Sequence, residues 1–189
     1  MAPTTYLSNH AVRQAIDQLR PNHPGRNSAI LGIWNSILST QFPTWQGYLV
    51  SPREHGWYNE RDLWYDMQVQ HLRGGPTNNQ NSNSNIFLVV ICRTAAEHHN
   101  INEGLPQWTT HLELYLDSIF GRRRQPGRPV RVYGVIAHGL GATFFSYDIG
   151  EHMPMLIFRE HEMDEKPAYH LVEDHEMIQE FLDNIRVRH

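Results

Sequence analysis

Histidine is the side chain this sequence offers most freely for chemistry: thirteen of 189 residues, at positions 10, 23, 55, 71, 98, 99, 111, 138, 152, 161, 170, 175 and 189. An imidazole can exchange a proton near neutral pH or ligate a metal. Zinc needs three or four convergent ligands, and no spacing here supplies them, so most of these histidines read as surface residues. The stretch Glu160-His161-Glu162-Met163-Asp164-Glu165 is rich in ligand types. It is not H-E-x-x-H, and Pro167 follows at once, so it reads as a solvated acidic loop. Cys92 is the single cysteine and ends the apolar run Ile86–Cys92, which suits packing rather than nucleophilic attack. Gly139-Leu140-Gly141 lacks the third glycine and following helix of a dinucleotide loop and reads as a hairpin turn, and no G-x-S-x-G elbow is present. Arg122-Arg123-Arg124 with Arg128 and Arg131 is either a solvated loop or a phosphate-contacting patch.

The frame for these residues is one domain's worth of chain, since domains run roughly 100–200 residues. Hydrophobic residues make up 40% of it, enough for a core that needs no disulfide staples. Net charge is −4, whereas a duplex-DNA binder usually carries a basic surplus or a basic face. No segment approaches the roughly 18 consecutive apolar residues of a membrane span, so no membrane association is expected. The opening residues lack the basic flank and apolar stretch of a signal peptide. With one buried-looking cysteine, an intracellular location in cytosol or nucleus is expected.

Asn9 or Ser8 can cap a helix over His10–Leu19, and Asn27 or Ser28 a second over Ala29–Thr40 with Ile30, Ile33, Trp34, Ile37 and Leu38 as its apolar stripe. Tyr48–Val50 reads as a short strand ended by Pro52. Leu63–Leu72 reads as another, in which Tyr65, Met67 and Val69 alternate with the polar Asp66, Gln68 and Gln70. Ile86–Cys92 is apolar throughout and reads as a central strand buried on both faces. A helix follows over Gln107–Phe120, with Pro106 near its start and Trp108, His111 or Leu112, Tyr115 and Ile119 on one face. Val130–Ala137 and Ala142–Tyr147 form a hairpin, Met155–Phe158 a further strand, and Glu173–Arg186 a terminal helix with Met177, Phe181 and Ile185 inward. The order predicts an α/β domain, a mixed sheet with helices packed on it.

Along that order the residues resemble fungal PD-(D/E)XK nuclease-like proteins, from Phe42 to Asp148. The resemblance is carried by Pro52-Arg-Glu54, Arg61-Asp62-Leu63, Leu88 to Arg93, Trp108 with His111-Leu112 and Tyr115, Tyr133-Gly134 running to His138-Gly139, and Phe144-Phe-Ser-Tyr147-Asp148. It implies a restriction-endonuclease-like mixed β-sheet flanked by α-helices, residues 1–189 forming one domain. The family's reaction uses a divalent metal on carboxylates and a lysine beside the attacking water. Asp62 matches the first metal-binding aspartate and Glu54 the upstream acid. The second carboxylate falls on Ile91, and the lysine falls on Arg93, which stays protonated and cannot act as a base. Basic residues that the family often places around its last hairpin read Gly141, Thr143 and Ser146 here.

The resemblance therefore implies a dismantled nuclease: no cofactor, with Mg²⁺ only if a residual nuclease survives through a replacement such as Glu97, and nucleic acid not expected as ligand. The old active-site cleft would be lined by Asp62, Glu54, Arg93 and aromatics such as Trp108 and Tyr115. His138 stands where the pattern is usually apolar, His111 where it often has Gln, and His98 and His99 follow the central strand, where they could face the cleft. A histidine beside a carboxylate can act as general acid and base, and Arg93 can hold a carboxylate or enolate oxygen. The alternative for His138 and Arg93 is structural: a satisfied turn histidine, and an arginine paired with Asp62. The leading expectation is a pocket for a small-molecule ligand or substrate, with isomerase, cyclase or dehydratase chemistry or binding alone. A catalytically dead scaffold binding protein through Trp45, Trp57, Tyr58 and Trp64, and a residual nuclease or nucleic-acid binder using the arginine cluster, remain the alternatives.

Overall fold

The computed structural model describes residues 5–19, 26–55, 64–72, 86–93, 101–120, 131–148, 155–156, 166 and 168–189. Asn9 opens the first helix, α1 (His10–Gln18), by accepting a hydrogen bond from the Ala11 amide at 2.9 Å. That satisfies one of the donors a helix start leaves over. The second helix, α2 (Arg26–Gln41), begins before Ala29 and buries Ile30, Ile33, Trp34, Ile37 and Leu38. Five main strands follow: β1 (Tyr48–His55), β2 (Trp64–His71), β3 (Ile86–Arg93), β4 (Arg131–His138) and β5 (Gly141–Asp148). Helix α3 (Ile101–Phe120) connects β3 to β4, two-residue strands β6 (Met155–Leu156) and β7 (Tyr169–His170) both pair with β5, and α4 (His175–Arg188) closes the order.

The sheet runs β1-β2-β3-β4-β5. All neighbours are antiparallel except β3 and β4, which are parallel and need the α3 crossover to join them. The molecule is thus an α/β domain with a mixed sheet. β1 continues through Pro52, which pairs with Met67, so the strand does not stop at Val50. Among the described residues β1 has only β2 beside it, and an edge strand tolerates a residue without an N–H. Similarly, α3 starts at Ile101, six residues earlier than the sequence suggested, and carries Pro106 inside it. The loss is one backbone bond near the N-terminus, while Leu105, Trp108, Leu112 and Leu116 pack the helix onto the sheet. α4 likewise runs two residues later at each end, with Ile178 and Leu182 joining Phe181 and Ile185 in its buried stripe.

Two apolar clusters sandwich the sheet. On one face Met67, Val69, Leu88, Val90, Val135 and Phe144 meet α1, α2 and α4. On the other, Val89, Ile91, Val132, Ile136 and Phe145 meet α3. The β3 residues are buried on both faces, as an uninterrupted apolar run requires. α3 lies close to β4 because residue 134 is glycine: a Cβ there would stand 2.6 Å from Leu112 Cδ2. β4 and β5 turn through Gly139-Leu140, with Gly139 at φ 56, a conformation glycine adopts without strain. The far end of α4 is tied to α2 by Gln41, Gln179, Asp183 and Arg186. In that group Gln41 Nε2 donates to Asp183 at 2.6 Å and Arg186 Nη2 donates to Asp183 at 2.8 Å.

Candidate functional site

The α3 face of the sheet carries an unusual load for a packed layer. Asp66, Gln68, Arg93 and Thr143 are 3%, 6%, 5% and 1% exposed. Buried polar groups cost stability unless they are satisfied, and Gln68 is satisfied by the Tyr115 hydroxyl. Strand register fixes its rows. Arg53, Asp66, Ile91, Ile136 and Thr143 are successive Cα partners across β1 to β5, and Ser51, Gln68, Val89, Gly134 and Phe145 form the next row. Beyond the Asp66 row, Arg93 pairs with His138 and His138 with Gly141. Arg93 and His138 are the last residues of β3 and β4, so they sit together at the carboxyl ends of the parallel pair. That is where α/β sheets commonly bind ligands.

α3 lays Trp108 and His111 over this corner. Arg93 Nη2 is 3.1 Å from His111 Nδ1. A guanidinium has no acceptor, so His111 Nδ1 is the acceptor and Nε2 carries the ring's proton. The Arg93 Cζ stands 5.8 Å from the Trp108 ring centroid, a cation–π contact inside a buried environment. Trp108 also stacks on His138, with ring centroids 4.8 Å apart and a 30° interplanar angle. Trp108 itself is 1% exposed and acts as the rigid wedge between the arginine and the half-buried imidazole. One turn beyond His111, Tyr115 accepts a hydrogen bond from Gln68 Nε2, which anchors α3 to β2.

Four residues singled out from the sequence are therefore brought together: Arg93, His138, His111 and Trp108. Tyr115 lies on the same helix face, toward Gln68. Glu54 is on β1, where its Cα partner is Tyr65, one residue out of phase with the Arg53–Asp66–Ile91 row. Asp62 and His99 lie outside the described residues, as do Glu97, His98, Trp57, Tyr58, Arg122–Arg124, Arg128 and the 160–165 acidic stretch. Arg131 forms a bidentate pair with its register partner Asp148 at 2.8 and 2.9 Å, which holds that carboxyl below its usual range. Cys92 is buried on the opposite face, and burial with the nearby Asp66 charge pushes its thiol up, as suits a packing residue.

Asp66 and Gln68 are the residues the sequence reading passed over. Their alternation with Tyr65, Met67 and Val69 looked like an outer polar face, but α3 covers that face. The signal lay in the neighbouring strand: a β3 apolar on both sides requires its antiparallel partner to be roofed as well. No family model matches this chain, and neither curated proteins nor solved structures give a significant match.

Proposed function

We propose that this domain has a restriction-endonuclease-like fold without metal-dependent nuclease chemistry, and that its Arg93 corner binds an anionic small molecule. A mixed sheet with helices on both faces supports the fold reading. Ile91, the match to the second metal carboxylate, is 2% exposed and directly opposite Asp66. Its side chain has no lone pair to give, so the described residues do not fit a two-carboxylate Mg²⁺ site.

The observation that carries the reading is the Arg93–His111 hydrogen bond. The position matching the nuclease lysine holds a permanent cation, oriented by an imidazole acceptor and an indole ring rather than by metal-bound water. A guanidinium so oriented suits a carboxylate or an enolate oxygen. His138, stacked on Trp108 beside it, is placed to take or give a proton on the bound anion. The chemistry this would serve is isomerisation, cyclisation or dehydration, unless the corner only binds.

Two assays test the reading together. Single- and double-stranded DNA and RNA are incubated with the protein in Mg²⁺ or Mn²⁺, beside Asp62→Ala and Asp66→Ala, and no cleavage is expected. Small carboxylates are then screened for thermal protection of the native chain and of Arg93→Gln, with protection expected only in the former. Metal-dependent cleavage lost in either aspartate variant would overturn the proposal.

A further inference from the structure

The row that holds Arg93 and His138 does not end at β4. His138 pairs with Gly141 of β5, and Gly141 pairs with His170 of β7. The parity is fixed by the neighbouring residues: Ala142 and Tyr169, also partners, are buried in the cluster on the opposite face. His170 therefore emerges on the α3 face, in line with His138 and half-buried like it. Gly141 lies between the two imidazole-bearing positions and contributes no side chain. Two strand spacings separate the Cα atoms of His138 and His170, about 10 Å.

The tautomer of His170 is set by its own turn. Its Nδ1 accepts from the backbone N–H of Val172 and of Glu173, each at 3.3 Å. A ring nitrogen that accepts carries no proton, so neutral His170 bears its hydrogen on Nε2, the far side of the ring. Asp174 is the nearby acid: it accepts from the His170 backbone N–H at 2.8 Å and is paired with Lys166 at 2.9 Å. The lysine offsets its charge.

Resting on the reading of Arg93 as an anion site, we propose that the same site extends across Gly141 to His170 and takes a dicarboxylate, one carboxylate at Arg93 and the other at His170 Nε2–H. The guanidinium and the Nε2–H each present a donor to one carboxylate, and their separation calls for two anionic groups on one chain rather than a single one. The spacing suits a chain of about four to six atoms between the two anionic carbons, since the side chains take up part of the three strand spacings.

The test uses the full chain and calorimetric titration with adipate and propionate, against native protein, His170→Asn and His170→Leu. Asparagine Oδ1 can still accept the two turn amides but has no donor at the Nε2 position, so it removes the donor and keeps the turn. Native protein should bind adipate about tenfold or more tightly than propionate, the scale of one added hydrogen bond to a charged group. His170→Asn should lose that preference while propionate binding stays unchanged, and His170→Leu should behave alike. Equal affinities for both probes in native protein, or a preference retained in His170→Asn, would overturn the extension and leave the Arg93 site standing. No binding of either probe, with native protein and Arg93→Gln indistinguishable, would overturn both.

Discussion

Replacing Gly134 with alanine tests how the candidate site is held. The added Cβ would meet Leu112 Cδ2 at 2.6 Å, Cδ1 at 3.0 Å and Cγ at 3.1 Å. Carbon atoms prefer about 3.5–4.0 Å, so Leu112 must retreat by roughly 1 Å. Leu112 is fully buried and packed with Val89, Ile136 and Trp108, which leaves its side chain nowhere to swing. Overpacking of this kind costs about 1–3 kcal/mol. Alanine returns about 0.4–1 kcal/mol by restricting the unfolded chain. A net loss of up to about 2.6 kcal/mol follows, or up to roughly 10 °C in melting temperature for a chain of this size. Urea unfolding read by tryptophan fluorescence measures it. Because Leu112 and His111 are neighbours on α3, the same substitution should weaken any ligand binding at Arg93 more than it weakens the fold. Leu112→Val introduced into Gly134→Ala should restore part of both losses, since it removes one of the clashing atoms' reach. Stability above native in Gly134→Ala would refute the close approach of α3 to β4.

Two more outcomes concern ionisation. The Arg131 hydrogen bond holds Asp148 below the ordinary carboxylate range, and the Lys166 hydrogen bond does the same for Asp174. A folded pKa lower than the unfolded one gives stability that is fully present above the unfolded value, about 3.9, and is lost as pH falls through the folded value. Acid unfolding curves of Asp148→Asn and Asp174→Asn should therefore fall short of native at pH 7 and converge on it as pH falls below the ordinary carboxylate range. Each pair is partly solvated, so the gap should stay within about 1 kcal/mol; a gap that widens on acidification would contradict the assignment. For Cys92, whose thiol is fully enclosed and pushed up by burial, alkylation should proceed only at the rate of unfolding. Rapid modification of the folded protein at pH 8 would show that β3 is less protected than its packing implies.

Much of the architecture was readable because β3 and α2 are written in single patterns. An apolar run from Ile86 to Cys92 has one sensible place in a sheet, and the 3.6 spacing of Ile30, Ile33, Trp34, Ile37 and Leu38 has one sensible face. Prolines misled where tertiary position overrode local preference: Pro52 on an edge strand and Pro106 in a helix held down by Leu105 and Trp108. The two-residue strand Tyr169–His170 was invisible because two residues carry no period, yet it brings His170 into the row of His138. The expectation that Arg93, His111, Trp108 and His138 share a cleft rested on the resemblance, since no spacing among those residues calls for it. The burial of Asp66 and Gln68 was legible only indirectly, through the doubly apolar β3 beside them, because the period-2 pattern of β2 by itself does not say that both its faces are covered.

The two faces of the sheet divide the work unequally. The face under α1, α2 and α4 is packed with aliphatic and aromatic side chains, while the α3 face mixes apolar contacts with Asp66, Gln68, Arg93 and Thr143. Swapping such polar residues for apolar ones of similar volume is often neutral or stabilising in a protein interior. Paired replacement of Gln68 and Tyr115 by Met and Phe should then preserve or raise stability, because both members of one hydrogen bond are removed together. Replacing Gln68 alone leaves the Tyr115 hydroxyl without that donor and should cost about 1–2 kcal/mol.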